Sequence, residues 1–411
     1  MKAKQVPTAS KFTVLRQLCN YIPPHLVPQV ARDTGVDELA RTFRPWSHVV
    51  ALSYAQLTHS IGLNDVCDSL QLNSGPLSAI RGATPPSRNN LSHANKVRDA
   101  AMAEQLFWAV LEHLGELSPR FVSGKAGKRL VRRLKRKIHL VDSTTIQLIA
   151  SCMDWAKHRR RKAAAKCHVR LDLQSFLPRF AIIDTARQAD AKRARELCAG
   201  IREGEIAIFD KAYVDFGHLG ELEERGVIWV TRAKENLQCT VVGEYRVPAG
   251  SKIVTDEAIG LTSPTSQGKY PEMLRRIVAW VEVDGEERLM EFLTNQLTWS
   301  PETVVELYRC RWQIEVFFKQ IKQTLQLADF LGTNANAVRW QIWTALLVYL
   351  LLRYVAFLTQ WAHSFSRLFA LVRTGLWRRW DLLGLLARYG TAGGSFRYLA
   401  HPEQAYFPGF A

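Results

Sequence analysis

The chain has 411 residues, 47% of them hydrophobic, so two or three packed domains are expected and wholesale disorder is excluded. Lys and Arg number 55 against 38 Asp and Glu, a net charge of +17 that favours a polyanionic partner, nucleic acid above all. Seven cysteines stand singly (Cys19, Cys67, Cys152, Cys167, Cys198, Cys239 and Cys310) with no C-x-x-C pair, which argues against a zinc knuckle or disulfide framework and for a reducing compartment.

Residues 1–118 read as mostly helical, and Met1 to Leu18 lack the apolar core of a signal peptide. Pro23, Pro24 and Pro28 break the opening helix. Ser47 is placed to cap a helix carrying Val49, Val50, Leu52 and Leu57. Gly75-Pro76 and Thr84-Pro85-Pro86-Ser87 mark turns, and a further helix is expected from Asn95 to Leu114. Gly124 to Lys137 is densely basic. Such runs are commonly solvated linkers, but this one directly precedes a β-prone segment and suits DNA phosphates equally well.

The middle of the chain alternates. Strands are expected over Ile138–Asp142, Cys167–Leu173 and Phe180–Asp184, then a helix over Asp190–Cys198, a strand over Ile206–Asp210, a helix over Phe216–Arg225 and a strand over Val227–Thr231. That order fits an α/β, RNase H-like core. Residues 237–286 are rich in Val, Thr, Gly and turns and read as a β-rich insertion, after which Arg288–Leu293 forms a last strand. Ser300 and Pro301 open a long helix. Beyond residue 330 the chain reads as helical and Trp-rich. Its strongest apolar run, Ile342–Leu352, is about half a membrane span long and is stopped by Arg353, so a buried helix is expected.

Two carboxylates end expected strands. Asp142 precedes Ser143, Thr144 and Thr145, and Asp210 precedes Lys211, Ala212 and Tyr213. A side chain at such a place emerges at the sheet edge, although an ordinary Asp at a strand-to-turn junction looks the same. Asp172, Asp184, Asp190 and Asp215 are rivals for Asp210, Asp184 the strongest because it also ends a strand.

The segment from Tyr308 to Lys322 carries the most information. At about 100° per residue an unbroken helix puts Tyr308, Arg311, Glu315 and Lys322 on a face roughly 60° wide, with Lys319 beside them. Leu307, Cys310, Ile314, Phe317, Phe318, Ile321 and Leu325 fill an apolar sector. A surface helix with i,i+4 charge pairs would show the same face, and Arg311 could simply pair with Glu315. A carboxylate among cations also suits a metal ion together with phosphate oxygens.

The spacing Tyr, two residues, Arg, three residues, Glu, six residues, Lys resembles the Y-R-E-K motif of DDE transposases of the insertion sequence four family. The context Asp142-Ser143-Thr144 resembles the family's first Asp, and Asp210-Lys211-Ala212-Tyr213 its second, with Ala212 where the family has Gly. Phe43-Arg-Pro-Trp46-Ser-His48, Leu91-Ser-His-Ala-Asn95 and Arg98 resemble, more loosely, the N-terminal domain of one branch. The resemblance implies a cut-and-paste DNA transposase with Asp142, Asp210 and Glu315 as catalytic, metal-binding carboxylates. Phosphoryl transfer of this kind uses two divalent ions about 4 Å apart, here Mg2+ with Mn2+ as a substitute. Tyr308, Arg311, Lys319 and Lys322 would hold the DNA backbone.

The expected organisation is a helical DNA-binding domain over 1–118, an RNase H-like catalytic domain over 119–330 that contains the β-rich insertion, and a helical C-terminal region over 331–411. The implied partners are the terminal inverted repeats and target DNA, with a homodimer in the synaptic complex, no membrane, and a bacterial cytoplasmic, nucleoid-associated location. Arg232 and Lys234 could line the DNA cleft or only solvate their loop, and Trp299 could stack on an extruded base or be buried. A structure-specific nuclease or resolvase on the same fold and a non-catalytic domesticated DNA-binding relative stand as alternatives. Inverted repeats flanking the gene, and magnesium-dependent cutting, separate the three.

Overall fold

Ile138, Leu140, Val141 and all of Ile206–Phe209 are buried, apolar runs broken only by the buried His139, as in strands covered on both faces. The computed structural model describes residues 7–36, 38, 40, 42–124, 129–148, 157–159, 162–185, 190–283, 285–325 and 330–389. Cys152, Lys125–Lys128 of the basic stretch and residues 390–411 lie outside them.

Among the described residues ten strands form one mixed sheet: β1 (Ile138–Leu148), β2 (Lys157–Arg159), β3 (Lys162–Asp172), β4 (Leu177–Thr185), β5 (Ile206–Phe209), β6 (Ile228–Arg232), β7 (Cys239–Glu244), β8 (Ile253–Leu261), β9 (Leu274–Val283) and β10 (Glu286–Thr294). Their order is β2-β3-β1-β5-β6-β10-β9-β8-β7, with β4 beside β3. β1, β5 and β6 are parallel neighbours, and β6 through β10, β9, β8 and β7 is antiparallel. β7, β8 and β9 lie in the stretch 237–286, together with a short helix, Pro264–Lys269.

By its contacts the chain divides into two compact units, one of Met1–Val122, Ile146–Ala165 and Phe318–Tyr406, the other of Ser123–Thr145, Lys166–Phe317 and Phe407–Ala411. In the second unit the helices Asp190–Cys198 and Phe216–Glu224 bury Leu197, Leu219 and Leu222 in one cluster with Phe209, Trp229 and Tyr270. Asp215 caps the second helix by accepting from His218 N at 3.0 Å. Gly226, at φ +66°, ends it, and Val227 N reaches back to Leu222 O at 2.9 Å. That left-handed stop turns the chain directly into β6.

The first unit is mainly helical, apart from β2 and the adjoining parts of β1 and β3. Its 24-residue helix Ala335–Leu358 is long and apolar enough to cross a membrane by length and composition, yet most of it is buried against Pro45–Thr58, Arg88–Val97 and Ala101–Leu117. The expected helix from Asn95 to Leu114 is instead two, Arg88–Val97 and Ala101–Leu117. The break lies at Arg98, whose carbonyl accepts from Asn336 Nδ2 at 2.6 Å and Trp340 Nε1 at 2.7 Å, so tertiary bonds override local propensity. Ser47 is not the cap it was expected to be: Pro45 opens the helix, and Ser47 Oγ accepts from Thr84 N at 3.0 Å. Gly75 and Pro76 lie in a one-turn helix, Ser74–Ser78.

The N-terminal residues singled out by resemblance meet in one buried cluster. His48 and Asn95 share a 2.8 Å hydrogen bond, Arg98 lies 5.2 Å from the Phe43 ring, and the His48 ring lies 4.4 Å from that of Trp340. Burial holds His48 down at about 3, so it is neutral. The six described cysteines are all free thiols, and burial pushes Cys19 and Cys198 up to about 12.

Candidate active site

Asp142 follows Val141 on β1, Asp210 follows Phe209 at the end of β5, and Val141 and Phe209 are register partners in the parallel pair. Neighbouring strands lie about 4.8 Å apart, so the two carboxylates stand on adjacent strands at the same level. Each accepts a 2.7 Å bond at Oδ1 from the next backbone amide, Ser143 N and Lys211 N. Asp210 also caps the short 3-10 turn Lys211–Tyr213. Ala212 is not among the described non-glycine residues with positive φ, so its departure from Gly carries no backbone strain.

The third segment departs from the unbroken helix expected. Ser300 and Pro301 open a helix as expected, but it ends at Arg309 and restarts at Trp312. Between them Cys310 N bonds Leu307 O and Arg311 N bonds Tyr308 O, both at 2.9 Å, a tightened three-residue step that alters the 100° periodicity. Trp312–Lys319 then runs into a π-helical turn, Gln320–Thr324. Leu307, Cys310, Ile314, Phe317, Phe318, Ile321 and Leu325 are buried, as the apolar sector requires. Tyr308 and Arg311, placed by the periodicity on the polar face, are buried as well, at 3% and 9% exposure.

Their burial has a chemical reason. Arg311 Nη1 donates to Asp142 Oδ2 and Nη2 donates to Glu315 Oε1, both at 2.9 Å. Tyr308 OH donates to Asp210 Oδ1 at 3.3 Å. The Arg311 guanidinium lies 5.7 Å from the Tyr308 ring centroid and 5.8 Å from that of Trp312. Residues from three distant segments thus meet in one charged cluster. Burial pushes Asp142 up to about 6 against the pull of Arg311 and the Ser143 amide, with Asp210 and Glu315 adding to the rise. Burial also raises Tyr308. For Arg311 burial works against the charge, but Tyr308, Asp142 and Glu315 outweigh it and hold the cation above its ordinary value.

The structure therefore brings together Asp142, Asp210, Glu315, Tyr308 and Arg311. Lys319 is exposed at the end of its helix and Lys322 is partly exposed in the π turn; both belong to the first unit. Of the rival acids, Asp190 lies beside the site, accepting from Ser143 Oγ at 2.8 Å, and the other three are engaged elsewhere. Asp172 accepts from Ser175 N at 2.8 Å and pairs with Arg179, Asp184 pairs with Arg193, and Asp215 caps a helix. Lys234 Nζ donates to Val214 O at 2.9 Å, Arg232 is partly buried on β6, and Trp299 is half-buried with its carbonyl bonded to Arg275. In the basic stretch Arg133 bonds Thr303 Oγ1 at 2.8 Å and Arg136 bonds Gly204 O at 2.6 Å.

The sequence matches the transposase DDE domain over residues 133–351. The chain belongs to the DDE transposase family. Residues 10–80 of the transposase match a second family, described only as a domain of unknown function. A putative transposase, y4zB, of Sinorhizobium fredii is 32% identical over 304 residues, 73% of this chain and 80% of that one. A probable transposase of the element IS5377 of Geobacillus stearothermophilus is 27% identical over 54% of this chain and 58% of its own length. The transposase InsG of the element IS4 of Escherichia coli is 23% identical over 45% of this chain and 42% of its own. These relatives support the insertion sequence four family. Among solved structures, a piggyBac transposase synaptic complex with hairpin DNA aligns with 94% of this chain and 85% of that one, at 8% identity and a TM-score of 0.45. The transposase is a DNA-acting enzyme of a family that cleaves and transfers strands and generally uses divalent metal ions.

Beside the five site residues lies a polar group: Ser143, Lys166, His168, Asp190 and Tyr213. Ser143 and Tyr213 stand in the two Asp motifs and Asp190 among the rival acids, whereas no signal in the sequence marked Lys166 or His168.

Proposed function

We propose that this transposase moves its element by cut-and-paste, through an RNase H-like core in which Asp142, Asp210 and Glu315 are the catalytic carboxylates. What carries the reading is the fork of Arg311, which joins Asp142 to Glu315 across 169 and 4 positions of sequence while Tyr308 binds Asp210. Among the described residues no three His, Cys, Asp or Glu side chains stand close enough to share a metal ion. The donor set nonetheless fits one. Burial chiefly, with Asp210 and Glu315 adding to it and Arg311 opposing, raises Asp142, and a hard divalent cation favours its charged form with the oxygen ligands such a cation prefers. Asp142, Asp210 and Glu315 would hold two Mg2+ ions, for which Mn2+ would substitute. When bound, such ions polarise the scissile phosphodiester and stabilise charge on the attacking and leaving oxygens.

The chain's own residues position the DNA. Arg311 offers a planar fork to a phosphate and Lys319 and Lys322 offer point charges. Tyr308 keeps Asp210 oriented. Water cleaves one strand at the element end, and the freed 3′-hydroxyl attacks the target, so no side-chain nucleophile is required. Residues 119–330 form the catalytic domain with its β-rich insertion at 237–286, helical residues 1–118 bind DNA, and the helical region 331–411 completes the molecule. The partners are the terminal inverted repeats and target DNA, bound by a homodimer at the nucleoid in the bacterial cytoplasm.

The test uses the full chain, duplex DNA carrying the inverted repeats that flank the gene, and Mg2+. Asp142→Asn, Asp210→Asn and Glu315→Gln keep size and remove one charge each. Each is expected to lower strand cleavage by at least about a hundredfold while DNA binding persists. Near-normal cleavage by any of them removes that residue from the triad. Equal cutting of duplexes without the repeats favours a structure-specific nuclease, and binding without cutting by the unaltered chain favours a domesticated DNA-binding protein.

A further inference from the structure

Behind the two aspartates lies a buried polar hub. Ser143 Oγ donates to Asp190 Oδ1 at 2.8 Å, and Lys166 Nζ lies 2.8 Å from the same carboxylate. His168 Nδ1 is 3.5 Å from Asp190 and 3.1 Å from the Tyr213 hydroxyl. His168 and Tyr213 are at most 1% exposed, and the Lys166 and Asp190 side chains 15% and 17%.

The two ends of this hub are the notable part. Ser143 is the residue whose amide fixes Asp142. Tyr213 closes the turn that Asp210 caps, with Tyr213 N donating to Asp210 O at 2.9 Å. One carboxylate therefore reaches Ser143, next to Asp142, directly, and Tyr213, in the turn that Asp210 caps, through His168. A buried ion pair adds little net stability compared with apolar packing of the same volume. Fold stability alone thus gives no reason for a charged hub here, whereas the fixing of two carboxylates does. Groups that orient metal-binding carboxylates by hydrogen bonds change metal affinity or activity by about 10- to 100-fold when removed.

We infer that Asp190 is a positioning residue, which, backed by Lys166 and His168, fixes Ser143 and Tyr213 and so holds Asp142 and Asp210 at their mutual spacing. This rests on the reading of Asp142 and Asp210 as cation ligands.

The experiment measures Mn2+ binding to the full chain without DNA, by the loss of the free-ion electron paramagnetic resonance signal, and in parallel element-end cleavage, DNA binding and thermal unfolding. Ser143→Ala and Asp190→Asn are expected to weaken Mn2+ binding by about 10- to 100-fold and to raise the Mn2+ needed for half-maximal cleavage in step. DNA affinity stays within about twofold and the unfolding temperature of Ser143→Ala within a few degrees. Unchanged Mn2+ affinity in Ser143→Ala overturns the inference, and so does a cleavage loss that tracks lost stability alone. Should Asp190→Asn not fold, Ser143→Ala decides by itself. Asp142→Asn separates the two levels. If it binds Mn2+ and cleaves normally, the underlying reading fails; if it is dead while Ser143→Ala behaves as the unaltered chain, only the positioning role fails.

Discussion

Arg311 donates one arm of its guanidinium to Asp142 and the other to Glu315, at 2.9 Å each, yet the two arms lie in different surroundings. Side-chain exposure is 11% for Arg311 and 17% for Asp142, but 47% for Glu315. Breaking a buried pair from one side leaves an uncompensated charge, at a cost of about 3–5 kcal/mol, whereas an exposed i,i+4 pair contributes about 0.3–0.5 kcal/mol. The expected order follows. At about pH 8, Arg311→Met destabilises the protein by about 3 kcal/mol and Glu315→Gln by less than about 1 kcal/mol. Denaturant unfolding checks both, and equal costs would show that the Asp142 arm is no more buried in effect than the Glu315 arm.

Asp142 gives the free protein a pH dependence of definite sign. Its folded-state value, about 6, lies above its ordinary 3.8, so the protonated form is favoured by folding. Its contribution to stability is fully present below the unfolded value and is lost as pH rises through the folded one. A rise of about two pH units corresponds to up to about 3 kcal/mol. Relative to the unaltered chain, Asp142→Asn should therefore gain up to about 3 kcal/mol between about pH 3.5 and pH 7, in chelator and without DNA. A stability difference that stays flat over that window would mean that burial does not raise this carboxyl.

Much of this was legible in the sequence, for physical reasons that differ by element. Ile206–Phe209 is wholly apolar and Ile138–Val141 apolar but for His139, so the starts of both strands and the place of Asp210 at the end of β5 could be read from composition, whereas β1 runs on to Leu148 and leaves Asp142 inside the strand and not at its expected end. The Ser300-Pro301 start is a local signal and was equally visible. The stop at Arg309 was not, because nothing local forbids helix at Cys310-Arg311. The same holds at Arg98, where Asn336 and Trp340, more than 230 positions away, take the carbonyl. The convergence of the hub around Asp190 was invisible for the same cause: although Ser143, Asp190 and Tyr213 could each be singled out, its members come from four segments, and only the fold brings them together.

Lys319 and Lys322 are proposed to meet backbone phosphates, which predicts an effect on binding without sequence preference. Each phosphate contact releases condensed counterion, so each lost contact lowers the slope of log affinity against log salt by about 0.9 on duplex DNA. Lys319→Gln and Lys322→Gln should each flatten the slope by about one and weaken specific and non-specific duplexes alike. Fluorescence anisotropy across a salt series reads this. An unchanged slope would remove the lysine concerned from the interface.

His48 should make the first unit acid-sensitive. It is fully buried, bonded to Asn95, and held at about 3 against an ordinary 6.5, with burial the main cause and Arg98 adding to it. A depressed value means that its contribution is present above about 6.5 and is lost as pH falls toward the folded value. From pH 6.5 to 4.5 that loss amounts to about 2 kcal/mol. His48→Gln, which keeps a hydrogen-bonding side chain without the titration, should lose correspondingly less over the same range. If the variant and the unaltered chain lose stability in parallel, His48 is not the titrating group.

Arg275 and Asp256 pair β9 with β8 through two bonds, Nε to Oδ1 at 2.7 Å and Nη2 to Oδ2 at 2.6 Å, with side-chain exposures of 3% and 1%. Nη1 of the same arginine donates to the carbonyl of Trp299, just before Ser300 and the helix Pro301–Arg309. The pair thus ties the β-rich insertion to the start of the segment that carries Tyr308 and Arg311. Two effects separate here by magnitude. Asp256→Ala strands a buried guanidinium and should cost about 3–5 kcal/mol. Replacing both partners by apolar groups, Asp256→Leu with Arg275→Met, removes both charges and should cost clearly less, since an apolar replacement of a buried ion pair is often neutral. The double variant still loses the bond to Trp299, so element-end cleavage should fall more than stability does. A double variant that is as unstable as Asp256→Ala would mean that packing, not the stranded charge, dominates, and one with undiminished cleavage would mean that this tie does not orient the Tyr308–Arg311 segment.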